Sequence, residues 1–364
     1  MNRKISLCMI VKNEEEVLGR CLESVRGLAD EMIIADTGSG DRTREIAERF
    51  GANVSSFEWT DDFSRARNFS FSLATGDFLL WLDADDVISP ASKEEFLRLK
   101  ERLNALPDDA LPDVIMCPYD TGIDESGTVT CTYYRERIVR KNSLPVWQGC
   151  VHECIAPRGR IEYSSARVEH RPTEKPRGSR NLDIYRKNIE RGTPLTPRDK
   201  FYYGRELYYH LLYTESAAVL EEMLSAPDGW YVNKIEGCKI LARCRRAQGR
   251  AEEALDCLFR SLLYAEPRAG ILTEIAGIFR EQKRYPEAIF WYKTALSCKE
   301  HAREGDFECE TDRTLAPLLG LTCCLYETGD TDGALAFHRR AEELFPDHPS
   351  VRFNSGFFRS MQLL

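Results

Sequence analysis

No apolar run in the 364-residue chain approaches the ~20 residues a membrane-spanning helix needs, so a spanning segment is not expected. Positive charge is not in excess either. Lys and Arg total 50 against 59 Asp and Glu, a formal net charge of −9, which argues against binding nucleic acid or an anionic membrane by counterion release. Glycine is missing where a phosphate loop would need it: the first apolar run leads into Lys12-Asn13-Glu14-Glu15, with no glycine before Gly19. A nucleotidyltransferase on a similar sheet would show glycines there. A secretion leader is not expected, because Ile5 to Val11 is short and meets charged residues without a small-residue cleavage site. Cysteine, by contrast, is plentiful. The thirteen cysteines are odd in number and spread from Cys8 to Cys324 in a chain long enough to build a core without staples. Free thiols and a cytoplasmic location are expected.

What is present is an ordinary globular composition, 43% hydrophobic and 30% charged, of a length that suggests two domains. Short apolar runs alternate with helix-like segments: Ile5 to Val11, Glu14 to Arg26, Met32 to Ala35, Arg42 to Phe50, Asn53 to Phe57, Phe63 to Leu73, Phe78 to Leu82. This is the pattern of βαβ units around a mostly parallel sheet. From Asp113 to Arg171 the segments read as strands, including Thr128 to Arg140 and Val151 to Ala156, which predicts a mixed or antiparallel extension. Residues 1–175 thus form an expected α/β domain. Residues 176–198 lie in a basic stretch punctuated by Pro176, Gly178, Pro194 and Pro197, which reads as a linker around one short helix.

Residues 199–364 are helical in pattern, with a repeat of 34 residues. Ala242 aligns with Ala276, Arg246 with Arg280, Gln248 with Gln282, Arg250 with Arg284, Glu253 with Glu287 and Ala254 with Ala288. A third copy from Gly329 through Ala341 follows after one period plus a charged insertion near 299–312. The period and its small residues resemble the tetratricopeptide repeat, so an all-α solenoid is expected.

Chemistry is concentrated where Phe78 to Leu82 runs into Asp83-Ala84-Asp85-Asp86. Open α/β sheets bind ligands at the carboxyl ends of their strands, and paired carboxylates there suit a sugar hydroxyl or a hard divalent cation. Ahead of this triplet, in order, stand Val11-Lys12-Asn13-Glu14, then Asp36-Thr37-Gly38-Ser39-Gly40-Asp41-Arg42-Thr43, then Ala66-Arg67-Asn68 and Gly76-Asp77. As an ordered set over residues 5 to 90 these motifs resemble family 2 glycosyltransferases of the GT-A fold, a Rossmann-like mixed sheet. Downstream, Trp147-Gln148-Gly149-Cys150-Val151-His152-Glu153 resembles a segment of the subgroup that carries tetratricopeptide repeats, which includes the sublancin-type peptide S-glycosyltransferases.

The resemblance implies a nucleotide diphosphate sugar donor, UDP-linked, held by Val11, Asn13, Glu14, Asp36, Gly38, Ser39, Arg67, Asp83, Ala84 and Trp147. It implies Asp85 as ligand to Mn²⁺ or Mg²⁺, with His170 completing the coordination. Asp36 suits the imide N–H of uracil, and Trp147 an apolar wall for the sugar or acceptor. Asp41 reads first as a helix cap. An inverting transfer also needs a base for the acceptor, and Glu153 is the candidate, with His152 beside it. If both sit on a strand they point to opposite faces and cannot be equally central. Cys150, His152 and Cys154 lack a second pair at ligand spacing, so zinc is not expected. The resemblance implies a peptide, protein or glycan as acceptor, with repeats expected to bind it or to mediate self-association as a homodimer. The other reading is an inactive repeat scaffold that binds a protein partner; intact Asp36, Gly38, Asp83, Asp85 and Glu153 favour the enzyme.

Overall fold

The computed structural model describes residues 2–123, 129–143, 146–173, 178–299 and 311–363. Most of the expected charged insertion near 299–312 lies outside these residues, as does Thr128, the first residue expected in its strand. The chain divides between Leu195 and Thr196 into two compact units.

The first unit is built on a nine-stranded sheet. Its amino-terminal half alternates β1 (Ile5–Val11), α1 (Leu18–Ser24), β2 (Glu31–Asp36), α2 (Thr43–Arg49), β3 (Asn53–Ser56), α3 (Phe63–Leu73) and β4 (Phe78–Trp81). β1 pairs in parallel with β2 and β4, and β2 with β3. The continuous apolar runs have a plain cause: Ile5, Leu7, Met9, Phe78 and Leu80 pack into one core while Cys8, Leu79 and Trp81 pack into another, so both faces of the central strands are buried. The α1 helix is shorter than expected, because residues 14–17 form turns rather than helix.

Beyond β4 come β5 (Asp86–Val87), α4 (Pro90–Ala105), β6 (Val114–Ile123), β7 (Val129–Arg140), β8 (Trp147–Gln148), β9 (Cys154–Ile155), β10 (Ile161–Tyr163), β11 (Val168–His170) and α5 (Arg180–Glu190). Here pairing turns mixed: β7 is antiparallel to β4 and β6, β11 runs parallel to β6 and antiparallel to β5. The strand expected over Val151 to Ala156 shrinks to β9, because His152 adopts a left-handed backbone with φ 54° and breaks the extended run. Helix α5 falls within the segment read as a linker, yet it is bound into this unit: Leu182, Ile184 and Tyr185 are buried, and Asp61 takes Lys187 Nζ at 3.1 Å and Arg191 Nη2 at 3.0 Å.

The second unit is helical throughout its described residues, from α6 (Pro197–Tyr209) and α7 (Tyr213–Ser225) through α8 (Tyr231–Ala247), α9 (Ala251–Arg260), α10 (Ala269–Glu281), α11 (Tyr285–Leu296), α12 (Ala316–Glu327) and α13 (Thr331–Leu344) to α14 (Pro349–Ser360). The repeat seen in sequence is a repeat of turns. Gly249, Lys283 and Gly329 occupy equivalent positions and all have positive φ, at 76°, 58° and 85°. In each turn the left-handed residue donates its N–H to the carbonyl three back, and the next residue donates to the carbonyl five back. These are three copies of one Schellman stop. The aligned alanines Ala254, Ala288 and Ala334 are wholly buried, which lets paired helices approach closely.

Candidate active site

Strand order brings the polar groups of the first unit to the carboxyl ends of β1, β2 and β4, around a cavity of about 380 Å³. That volume suits a ligand the size of a small cofactor. Its walls include the end of β1 (Val11, Lys12, Glu14), the acidic turn after β4 (Asp83, Ala84, Asp85), Phe63 and Arg67 of α3, the segment Val151 to Glu153, His170 of β11, and the start of α5 (Arg180, Asn181).

The acidic turn divides its labour. Asp86 is wholly buried and its oxygens are already engaged: Oδ1 accepts from Tyr119 Oη at 2.8 Å, and Oδ2 from Arg137 Nη1 at 2.9 Å and from the Asp83 backbone N–H at 3.0 Å. Arg137 is equally buried, its guanidinium 3.9 Å from the Trp81 ring centre and 4.1 Å from that of Tyr119. Removing either partner would strand a buried charge, at a cost of about 3–5 kcal/mol. Asp86 is therefore an anchor.

Asp85 points the other way. Antiparallel pairing of β5 with β11 sets His170 opposite Asp86, and the Arg171 N–H donates to the Asp85 carbonyl at 2.9 Å. This register carries a histidine 85 positions downstream to the triplet. His170 Nδ1 is buried, makes no hydrogen bond, and lies 3.6 Å from Asp85 Oδ1 and 3.5 Å from Asp86 Oδ1. The three ligand atoms lie within 4.8 Å of one another. Burial, and then the neighbouring Asp83 and Asp86, push the Asp85 carboxyl above its ordinary value although His170 opposes them. Burial pulls the His170 imidazole down, but Asp86 and Asp85 outweigh it and leave it above its ordinary value. An orphaned ring nitrogen among crowded carboxylates fits a divalent cation, and the mixed oxygen and imidazole donor set suits Mn²⁺ better than Mg²⁺.

Asp83 faces a different cation. Arg67, on α3, donates from Nη2 to Asp83 Oδ1 at 2.7 Å and from Nε to Glu153 Oε1 at 2.5 Å. Burial would lower the guanidinium's pKa, but the two carboxylates outweigh it and raise it. Burial likewise raises Asp83, and Arg67 then Arg137 pull it below its ordinary value. Glu153 comes to the cavity because His152 is left-handed: the turn defeats strand alternation and lets both residues line the same space. Next to Arg67 on the helix, Asn68 clamps the Trp147 backbone from both sides, donating from Nδ2 to its carbonyl at 3.0 Å and accepting its N–H at 2.9 Å. The Ala-Arg-Asn motif and the Trp-to-Glu segment are thus one assembly.

Of the expected donor residues, Val11, Glu14, Arg67, Asp83 and Ala84 line the cavity, as do His152, Glu153, Asp85 and His170. Asn13, Asp36, Gly38, Ser39 and Trp147 do not. Asn13, Asp36 and Ser39, with Gly40, stitch two loops together: Asn13 N–H donates to Ser39 Oγ at 3.0 Å, Gly40 N–H to Asn13 Oδ1 at 2.8 Å, and Ser39 Oγ to Asp36 Oδ1 at 2.5 Å. Asp36 also takes Arg44 Nη1 at 3.2 Å, and at 3% exposure it closes its own turn rather than facing the cavity. Asp41, expected as the helix cap, lies one residue ahead of the α2 N-cap Arg42 and accepts the Thr43 N–H at 3.0 Å. Trp147 is 2% exposed, edge-on to Trp81 at 4.9 Å, and stands behind Arg67 instead of walling the cavity. The aromatic wall is Trp59, Phe63 and Trp81. Sequence reasoning missed these, along with Arg135, Arg137, Arg180 and Asn181. Arg180 carried no signal, being read as linker.

Residues 6–151 match the family described as Glycosyl transferase family 2. The chain is 28% identical over 229 residues to the SPbeta prophage-derived glycosyltransferase SunS of Bacillus subtilis, covering 59% of this chain and 51% of that protein. It is 54% identical over 83 residues to a TPR repeat-containing protein of Synechococcus elongatus, covering 23% of this chain and 21% of that protein. The chain therefore spans from about a fifth to about half of the length of these curated relatives. Among solved structures, S. aureus TarS overlaps 69% of this chain and 54% of its own at 14% identity and a TM-score of 0.39.

Proposed function

We infer that this chain, whose residues 6–151 form a family 2 glycosyltransferase domain, is a metal-dependent inverting glycosyltransferase that takes its sugar from a nucleotide diphosphate, UDP first among them. The observation that carries the reading is that two groups of residues line one cavity: Asp85 with His170, and Glu153 held by Arg67. A cation held by Asp85 and His170 would neutralise charge on the departing diphosphate. Asp83 would face the ribose and donor sugar. Glu153 takes the acceptor's proton as the acceptor atom bonds to the anomeric carbon; the bond from that carbon to the diphosphate oxygen breaks, and its electron pair leaves with the nucleoside diphosphate. Attack opposite the leaving group inverts the centre. His152 borders the acceptor, and Trp59 and Phe63 offer an apolar face to it.

The acceptor is a peptide, protein or glycan, and the helical repeats of the second unit hold it or pair two copies of the chain. The cysteines among the described residues are free thiols, which supports work in a reducing, cytoplasmic compartment. Among the described residues no helix is long and apolar enough to cross a membrane.

The test is nucleoside diphosphate release from UDP-, GDP- and dTDP-sugars with Mn²⁺ or Mg²⁺, with and without chelator, alongside calorimetric donor binding. Release is expected from one donor class, abolished by chelator and lowered about 10³-fold in Asp85→Ala, or ~4 kcal/mol. If no donor binds with cation present, the scaffold reading replaces this one.

A further inference from the structure

We propose that Arg67 is a positioning residue, fixing Glu153 as the acceptor's proton acceptor by binding one carboxylate oxygen and leaving the other to the substrate. The inference rests on the transfer reading above and assigns Arg67 a task other than contact with the donor.

Four observations converge on it. Arg67 is 7% exposed, and its guanidinium lies in the corner formed by the Trp81 and Trp147 rings, 5.0 and 4.8 Å from their centres, which are themselves 4.9 Å apart. Its Nε and Nη2 donate to different acids, Glu153 and Asp83, so one rigid fork sets the spacing of the two carboxylates on which transfer depends. Among the described residues Arg67 is the sole hydrogen-bond partner of the Glu153 carboxylate, through Oε1. The plate behind the fork is itself fixed from α3, because Asn68 grips Trp147 at both its N–H and its carbonyl. Glu153 follows the left-handed His152 in a stretch without ladder hydrogen bonds of its own, and its side-chain tether is this arginine.

A lysine at position 67 keeps the charge but has one ammonium where the fork has two separated donors. It can meet Asp83 or Glu153, not both at these distances. A displacement on the order of an ångström at a catalytic group costs about 10²-fold in rate.

The experiment is a double-mutant cycle on the full chain, with UDP-glucose, UDP-galactose and UDP-N-acetylglucosamine as donors, Mn²⁺ as cation and water as acceptor, reading UDP release. Arg67→Lys is expected to lower kcat about 10²-fold, and Glu153→Gln to lower it at least as far. In the double variant kcat should stay within about threefold of Glu153→Gln alone, because the arginine acts through the glutamate. The effect should fall on kcat rather than on the donor KM, because the lysine ammonium can keep Asp83 while it releases Glu153. Asn68→Ala keeps every charge and should lower kcat less, again only when Glu153 is present, which tests the inference should Arg67→Lys not fold. Losses that multiply in the double variant, or an Arg67→Lys variant with unchanged kcat, would overturn the assignment. Activity in the wild type that Glu153→Gln does not reduce overturns it as well, while leaving the enzyme reading standing. No release from any donor by the wild type, with no donor bound, removes the transfer reading and this inference together.

Discussion

The two ends of the first unit's sheet carry the same kinds of residue and put them to opposite uses. At the amino ends of β1 and β4, Asp77 accepts the Lys4 N–H at 2.9 Å, Asp30 accepts the Ile5 N–H at 2.8 Å and Lys100 Nζ at 2.7 Å, and Glu31 gathers Ser6, Thr75 and Gly76. At the carboxyl ends, Asp83, Asp85 and Asp86 crowd a single turn, and Asp85 is left with only the distant His170 for a cationic neighbour. Acids at the amino ends close loops; at the carboxyl ends Asp86 and Asp83 are engaged by buried arginines and Tyr119, and Asp85 of the triplet is left without a hydrogen-bonded cation. Residue type does not distinguish the two ends. Partners do.

The comparison breaks most visibly at Gly76. A Cβ there would sit 2.9 Å from the Lys4 carbonyl and 3.0 Å from the Ser6 nitrogen, both backbone atoms unable to yield cheaply. Gly76→Ala should lose about 3 kcal/mol of stability by urea unfolding, with donor affinity of the folded fraction unchanged because the cavity lies at the other end. The opposite sign is expected at Asp85. With chelator present at neutral pH, Asp85→Asn relieves repulsion from Asp83 and Asp86 and should stabilise the chain by roughly 1 kcal/mol while ending activity. A thermal shift in the destabilising direction would mean the triplet is not under strain.

The smallest effect concerns acid. Partial burial raises the Glu31 carboxyl, but the hydrogen bonds from Ser6, Thr75 and Gly76 win and hold it below its ordinary value. The folded chain therefore binds fewer protons there than the unfolded one. This contribution is complete above the unfolded value of ~4.3 and fades as pH falls through the lower folded one. Glu31→Gln should flatten the decline of the melting temperature in that window, and an unchanged slope would remove Glu31 from the account.

Much of this was legible before any coordinates. Ile5 to Val11 and Phe78 to Leu82 announce buried strands because both faces are covered, and the 34-residue repeat announces paired helices because the same turn must recur at Gly249, Lys283 and Gly329. The acidic triplet and Glu153 could be singled out as well. Conformation at single residues was not legible. Nothing in the letters of Val151-His152-Glu153 says that the histidine turns left-handed, and that one angle places both side chains in one cavity. Nor does a tryptophan in a recognisable motif reveal whether it meets a ligand or, like Trp147, braces the arginine that does the facing. Such distinctions depend on contacts between segments far apart in the chain, here Asn68 with Trp147 and Asp86 with Arg137.

Trp81 ties these contacts together. Its ring lies within 5.0 Å of the guanidinium carbons of Arg67, Arg135 and Arg137, and its Nε1 donates to the Glu136 carbonyl at 2.6 Å. Trp59 stands at the same cavity and Trp147 directly behind it, so three of the chain's five tryptophans share one electrostatic neighbourhood. Indole emission responds to nearby charge, and an anionic ligand entering the cavity would change the field at a ring already crowded by three cations. The protein's own ultraviolet fluorescence thus becomes an optical gauge of occupancy, able to report binding before any acceptor is found.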